Sequence, residues 1–172
     1  MTKISKKICL LGDFAVGKTS LVRRFVYNAF DDKYLATIGV KVSRKTVVLP
    51  DPDELVELTY LLWDLAGSEE FSAVRASYLR GAAGAILVCD VTRPDTLDGL
   101  SAYVEDMRRV APEARFVLAA NKVDLPDTRL APEQLNGFAD SLGTLCYSTS
   151  AKTGLQVEDA FRYLGRLLVP GN

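Results

Sequence analysis

Residues Lys7 to Phe25 read KICLLGDFAVGKTSLVRRF, and everything else in the chain is arranged around them. Ile8, Cys9, Leu10 and Leu11 form a short run with no polar member, the pattern of a strand buried on both faces. The chain then turns at Gly12 through Asp13, Phe14, Ala15 and Val16 to Gly17, Lys18 and Thr19, a Gly-x-x-x-x-Gly-Lys-Thr loop that opens directly into a helical pattern. Such a loop curls its backbone N–H groups into a concave nest for phosphate oxygens. The helix starting at Lys18 aims its positive end there, and Lys18 adds a point charge. The Thr19 hydroxyl is the kind of group that ligates Mg²⁺ beside a bound phosphate.

Working outward, the first helix should end near Asn28, and the polar stretch from Asp31 through Tyr34 to Thr37 and Gly39 has no period, so a mobile loop is expected. Val40 to Leu49 and Val56 to Asp64 read as strands joined by Pro50-Asp51-Pro52-Asp53-Glu54, an antiparallel hairpin whose prolines should lie outside the strands. Strands and helices then alternate as βαβ units. Gly84 to Cys89 is a buried strand. A helix opening at Pro94 carries Leu97, Leu100, Val104, Met107 and Val110, and Arg115 to Ala120 is the next strand. Pro132 opens a helix closed by Gly143, Leu145 to Tyr147 is the last strand, and Val157, Phe161, Leu164 and Leu168 stripe the last helix. The expected fold is α/β: a six-stranded, mostly parallel sheet with one antiparallel hairpin strand and helices on both faces, forming a single domain over residues 1–172. Ligands of such sheets sit at the carboxyl ends of the strands.

Composition bounds the partners. A net charge of −1 with interspersed signs argues against a nucleic-acid partner, and Lys3, Lys6 and Lys7 read as the solvated start of a strand. Cys9, Cys89 and Cys146 lie in apolar runs without Cys-x-x-Cys spacing and read as reduced core residues of a cytoplasmic protein. No apolar run reaches membrane-spanning length, and Val169-Pro170-Gly171-Asn172 offers no cysteine for prenylation. The expectation is a chain without its own membrane anchor, associating with a membrane only if a C-terminal tail has been removed.

Three further stretches carry chemistry. Trp63-Asp64-Leu65-Ala66-Gly67 ends the third strand with an acid that can hold a Mg²⁺-bound water beside the phosphate loop. Asn121-Lys122-Val123-Asp124 follows the fifth strand, and Ser150-Ala151-Lys152 follows the sixth. With these residues in view the chain resembles the Ras-superfamily small GTPases of the Rab type over essentially its whole length, a P-loop NTPase small G domain, including a possible prokaryotic relative of that group. GDFAVGKT, ATIG, WDLAG, NKVD and TSAK stand in the family's order, and Ser77 to Gly84 is similar to the Rab stretch after the second switch.

The resemblance implies GTP/GDP and Mg²⁺ as ligands. Asp124 would accept from guanine N1 and the 2-amino group, the Ala151 N–H would donate to O6, Lys122 and Lys152 would cover the base, Phe30 would stack against it, and Asn121 would brace the phosphate loop. Ser20, Tyr34 and Ser150 complete the implied nucleotide site. Thr37 would ligate Mg²⁺ and, with Gly67, hold the γ-phosphate, so loss of that phosphate would release both switch loops. A carboxylate that must accept two hydrogens is left unpaired by adenine, which excludes ATP. A P-loop kinase would need an acceptor site and a lid, which nothing in the chain suggests. The implied partners are effectors, exchange factors and GTPase-activating proteins meeting Thr37–Val42 and Trp63–Tyr78, with a monomer as the expected state.

Three departures matter. Ser68 stands where the family has a water-orienting glutamine, so among the catalytic set Lys18, Thr37, Gly67 and Ser68 the last is too short, and intrinsic hydrolysis should be very slow. Phe14 replaces a small residue and would either crowd the γ-phosphate side or fold outward. Val42 and Lys41 replace the phenylalanine and acid read by Rab effectors. A nearly hydrolysis-dead, GTP-bound scaffold is therefore the alternative to a cycling switch.

Overall fold

The computed structural model describes residues 1–31, 39–67 and 69–171. Its sheet holds six strands: β1 (Thr2–Leu11), β2 (Val40–Pro50), β3 (Leu55–Leu65), β4 (Gly84–Asp90), β5 (Arg115–Asn121) and β6 (Cys146–Thr149). They lie in the order β2-β3-β1-β4-β5-β6. Only the β2–β3 pair is antiparallel. β1 therefore sits between β3 and β4, where the winding of the chain reverses direction, and the crevice at its carboxyl end is the ligand position of a doubly wound sheet. The helices are α1 (Lys18–Tyr27), α2 (Glu69–Leu79), α3 (Asp95–Asp98), α4 (Leu100–Val110), α5 (Pro132–Ser141) and α6 (Val157–Leu168).

Two apolar layers flank the sheet. On one face Phe25 of α1 stacks on Phe161 of α6 at 4.1 Å between ring centroids. The Tyr60 ring of β3 meets both edge-on, and its hydroxyl donates to the Phe161 carbonyl at 2.7 Å. Gly165 lies against that hydroxyl: a Cβ there would stand 2.2 Å from it and about 3 Å from Leu49 and Leu58. Gly165→Ala should therefore push Tyr60 off its hydrogen bond and lower stability by about 1–3 kcal/mol, read as a fall in Tm; an unchanged Tm would show that the layer can move aside. The opposite layer gathers Cys9, Leu11, Leu87, Cys89, Leu100, Met107 and Leu118 under α4 and α5.

Several expectations are refined. The helix expected from Pro94 is broken at Gly99 into α3 and α4, and Pro94 caps α3 rather than opening it. Pro50 is the last residue of β2, tolerated because β2 is an edge strand and Pro50 closes it. β1 begins at Thr2, so Lys3, Lys6 and Lys7 are strand residues. All three cysteines are free thiols, Cys9 and Cys89 buried but Cys146 only partly so. Burial pushes the Cys9 and Cys89 thiols up to about 12, which leaves them protonated and unreactive. Among the described residues no helix is long and apolar enough to cross a membrane.

Candidate nucleotide-binding site

The phosphate loop leaves β1 at its carboxyl end and feeds α1. Gly17, at φ 103°, takes a left-handed conformation that few side chains tolerate, and a Cβ on it would lie 2.3 Å from the Asn121 amide. Ala15 is also left-handed, at φ 63°, which turns its carbonyl toward Lys122 Nζ at 2.7 Å. Lys18 is buried, and its ammonium donates to the carbonyls of Gly12 at 2.9 Å and Asp13 at 3.2 Å. Burial lowers its pKa to about 8, opposed by the nearby carboxylates of Asp64 and Asp13. A phosphate arriving beside it would favour the charged form.

Side chains from distant segments clamp this loop. Asn121, only 1% exposed at the end of β5, donates from Nδ2 to the Val16 carbonyl at 2.9 Å and accepts from the Thr149 hydroxyl at 3.1 Å. Arg93 donates to the Phe14 carbonyl at 2.9 Å while pairing with Asp90, which also pairs with Lys122 at 3.1 Å. Gly67, just past β3, lies on the loop's backbone: a Cβ there would be 2.5 Å from the Gly12 carbonyl and 2.7 Å from the Phe14 nitrogen. A side chain at residue 67 is thus barred by the loop itself, before any ligand is considered.

Thr19 at the start of α1 hydrogen-bonds through its hydroxyl to the buried Asp64 carboxylate at the end of β3. Two hard oxygen donors from separate segments fit Mg²⁺, which keeps its other positions for waters and phosphate oxygens.

These groups open on a cleft of about 340 Å³. It is lined on the loop side by Phe14, Ala15, Gly17, Lys18, Thr19 and Ser20, and by Gly67. On the far side stand Phe30, Asn121, Lys122, Asp124, Ala151 and Lys152. Asp124 is exposed to the cleft, and its Oδ1 accepts from the buried Ser150 hydroxyl at 2.8 Å. That hydroxyl also accepts from the Thr153 N–H at 3.0 Å, which fixes it as a donor to the carboxylate. The structure thus brings together most of the residues singled out from the sequence. Gly12 and Asp13 contribute backbone carbonyls, Val16 is core, and the Asp13 carboxylate turns away to the Tyr103 hydroxyl. Of the two orientations open to Phe14, the ring takes the outward one, 57% exposed at the rim. Tyr34, Thr37 and Ser68 lie outside the described residues.

Three residues that the sequence reading passed over also shape the site. Asp90 and Arg93 hold Lys122 and the loop as described. Arg24 of α1 donates to the carbonyls of Ala151 at 2.8 Å and Lys152 at 2.6 Å, locking the β6–α6 loop over the cleft.

A family model described as the Ras family matches residues 7–169. The chain belongs to the Ras family. Within it the chain is Rab-like. It is 39% identical over 166 residues to "Ras-related protein Rab-31" of Rattus norvegicus, covering 95% of this chain and 83% of the relative. It is 40% identical over 162 residues to "Ras-related protein Rab-22A" of Mus musculus, covering 93% and 81%. The "GTP-binding protein ypt5" of Schizosaccharomyces pombe is 37% identical over 168 residues, covering 96% and 78%. As a Rab-like small GTPase, this chain has the family's switch architecture and general GTPase chemistry. The six-stranded mixed sheet is that of the small G domain.

Proposed function

We propose that residues 1–172 act as one G domain, a guanine-nucleotide switch that binds partners in its GTP form and hydrolyses GTP slowly. The observation carrying this reading is the convergence on one cleft of the phosphate loop, the Thr19–Asp64 oxygen pair and the Ser150-supported Asp124 carboxylate. Lys18 and the loop N–H groups would hold the phosphates, Asn121 would keep the loop in shape, and Asp124 with the Ala151 N–H would read the guanine edge. Thr19, Thr37 and, through a water, Asp64 would hold Mg²⁺, which when bound neutralises phosphate charge. Thr37 and Gly67 would anchor the two switch loops on the γ-phosphate. Two charge-assisted hydrogen bonds at about 1.5–3 kcal/mol each approach the ~5.5 kcal/mol needed to move a two-state equilibrium from 1:99 to 99:1.

Effectors, exchange factors and GTPase-activating proteins would meet the protein, as a monomer, through Thr37–Val42 and Trp63–Tyr78. A second reading, a GTP-bound scaffold that scarcely turns over, is favoured by Ser68 in the place of a water-orienting glutamine, while the outward Phe14 ring does not add to it. Extracting the nucleotide from purified protein and following single-turnover cleavage separates the two: GDP with measurable cleavage marks a cycling switch, retained GTP a scaffold. Loss of all preference for guanine over adenine nucleotides would overturn both.

Ser68→Gln should raise the single-turnover hydrolysis rate by about 10-fold or more, because a longer amide can orient the attacking water. An unaltered rate would assign that task to another group, such as Glu69 or Glu70.

A further inference from the structure

The half of the sheet built from β2, β3 and β1 is covered by α1 and α6 on one face; the other is open except where Cys9 is buried in the second apolar layer and Tyr78 of α2 packs on Trp63, and its side chains form rows set by the strand register. Val42, Trp63 and Cys9 make the first row; Arg44, Leu61 and Lys7 the second; Thr46, Thr59 and Ser5 the third; Val48, Glu57 and Lys3 the fourth. Rows on one face are about 7 Å apart, and neighbouring strands about 4.8 Å. Val42 is 52% exposed and Val48 44%, and Leu55, at the end of β3, is 54% exposed. The Trp63 ring is half-covered, by Tyr78 at 6.4 Å between centroids and by the Lys7 ammonium at 3.7 Å.

The charge on this face is one-sided. On this face β1 and β2 place Lys3, Lys7 and Arg44 and no acid, in a chain whose net charge is −1; Lys6, Lys41 and Lys45 alternate onto the other face. On the uncovered face the one acid of β3 is Glu57, taken by Lys3 at 3.5 Å. Arg44 makes no ion pair among the described residues, and Lys7 is engaged by the Arg80 carbonyl at 2.7 Å and the Trp63 ring. The second row thus sets two cations on either side of Leu61, one row from the Val42–Trp63 apolar patch.

Resting on the reading of this end of the molecule as the partner surface, we propose that the uncovered face binds an acidic segment of a partner protein. That segment seats an apolar side chain on Val42 and Trp63 and places carboxylates against Arg44 and Lys7. Burial holds Lys7 below the ordinary lysine range, so an anion beside it is favoured. A second copy of the chain does not fit, since pairing this face with itself sets like charges opposite one another. Nor do two cations beside a row of apolar and hydroxyl side chains make the extended basic field that nucleic acid or an anionic bilayer requires.

Trp63 is the single tryptophan of the chain, so its emission reports occupancy of this face. The test is selection of random peptides on protein loaded with Mg²⁺ and a non-hydrolysable GTP analogue, followed by titration of the selected peptides. The expected result is an excess of Asp and Glu over Lys and Arg in the selected sequences, a change in Trp63 emission on binding, and a loss of affinity of at least about 10-fold in Arg44→Glu, with Arg44→Ala in between. Basic or neutral sequences, no selected sequences, affinity unchanged in Arg44→Glu, or a Trp63 response to phosphatidylserine vesicles or polyuridylate in place of peptide would each overturn it. Nucleotide retained in the same sample separates this failure from that of the switch reading: loaded protein that selects no acidic peptide sinks the surface alone.

Discussion

Asn121→Ala is expected to release guanine nucleotide about 10-fold faster than the parent protein or more, and to lower its stability as well. The amide bonds two segments that never meet in sequence, donating to the Val16 carbonyl inside the phosphate loop and accepting from Thr149 on β6. Truncation leaves that carbonyl and that hydroxyl short of a partner where water does not reach, at about 1–3 kcal/mol each. The sum, roughly 2–6 kcal/mol, corresponds to a factor of about 30 or more, divided between folding and nucleotide retention according to how far the loop relaxes when empty. A second effect adds to it: the Asn121 amide walls the site where Gly17 is left-handed, and without it Gly17 has more freedom to leave the geometry that shapes the nest. Asn121→Asp keeps the shape but sets an anion against the Val16 carbonyl, and should be no better. Dissociation of a fluorescent GDP analogue, measured beside Tm, checks this. A lowered Tm with an unchanged off-rate would make Asn121 a strut of the sheet without a part in holding the ligand.

The clamp on the loop also shows where sequence reading reaches its limit. The strands, the phosphate loop and the three loops that meet it were legible because each rests on local signals: an apolar run ending in Gly, an acid after a strand, Asn-Lys-x-Asp after another. α2 escaped because the position where it meets α4 is an arginine. Arg75 is buried, bonded to Asp106 at 2.6 Å and lying 4.1 Å over the Tyr103 ring, so the helix's inward stripe is interrupted by a charge that only a tertiary partner justifies. Gly99 was hidden for the opposite reason, since Leu97 and Leu100 keep the helical period across the break. Arg24 left no trace because its partners are main-chain carbonyls more than a hundred residues away, which any residue supplies. Asp90 carried the same signal as Asp64, an acid closing an apolar strand, but its role depends on Lys122 and Arg93 arriving from other segments.

Asp124→Asn should turn the preference of the site from guanine toward xanthine nucleotides by a factor of roughly 10³ or more in relative affinity. A carboxylate offers acceptors only, matching the N1–H and 2-amino hydrogens of guanine. An amide offers one acceptor and one donor, matching the N1–H and 2-oxo group of xanthine. Which way the amide lies is set by Ser150. Its hydroxyl accepts from the Thr153 N–H and donates to residue 124, so the amide oxygen is held on the serine side and the NH₂ takes the place of the other carboxylate oxygen. Ser150→Ala in the Asp124→Asn background should therefore blunt the switch, because the amide can then turn over and present its oxygen to either base. Competition between GDP and xanthosine diphosphate for the same cleft, measured on both variants, reads the effect as a ratio and is insensitive to any general loosening of the fold. An unchanged ratio in Asp124→Asn would remove this carboxylate from base recognition. A ratio that shifts equally with and without Ser150 would show that the base itself, rather than the serine, orients the amide.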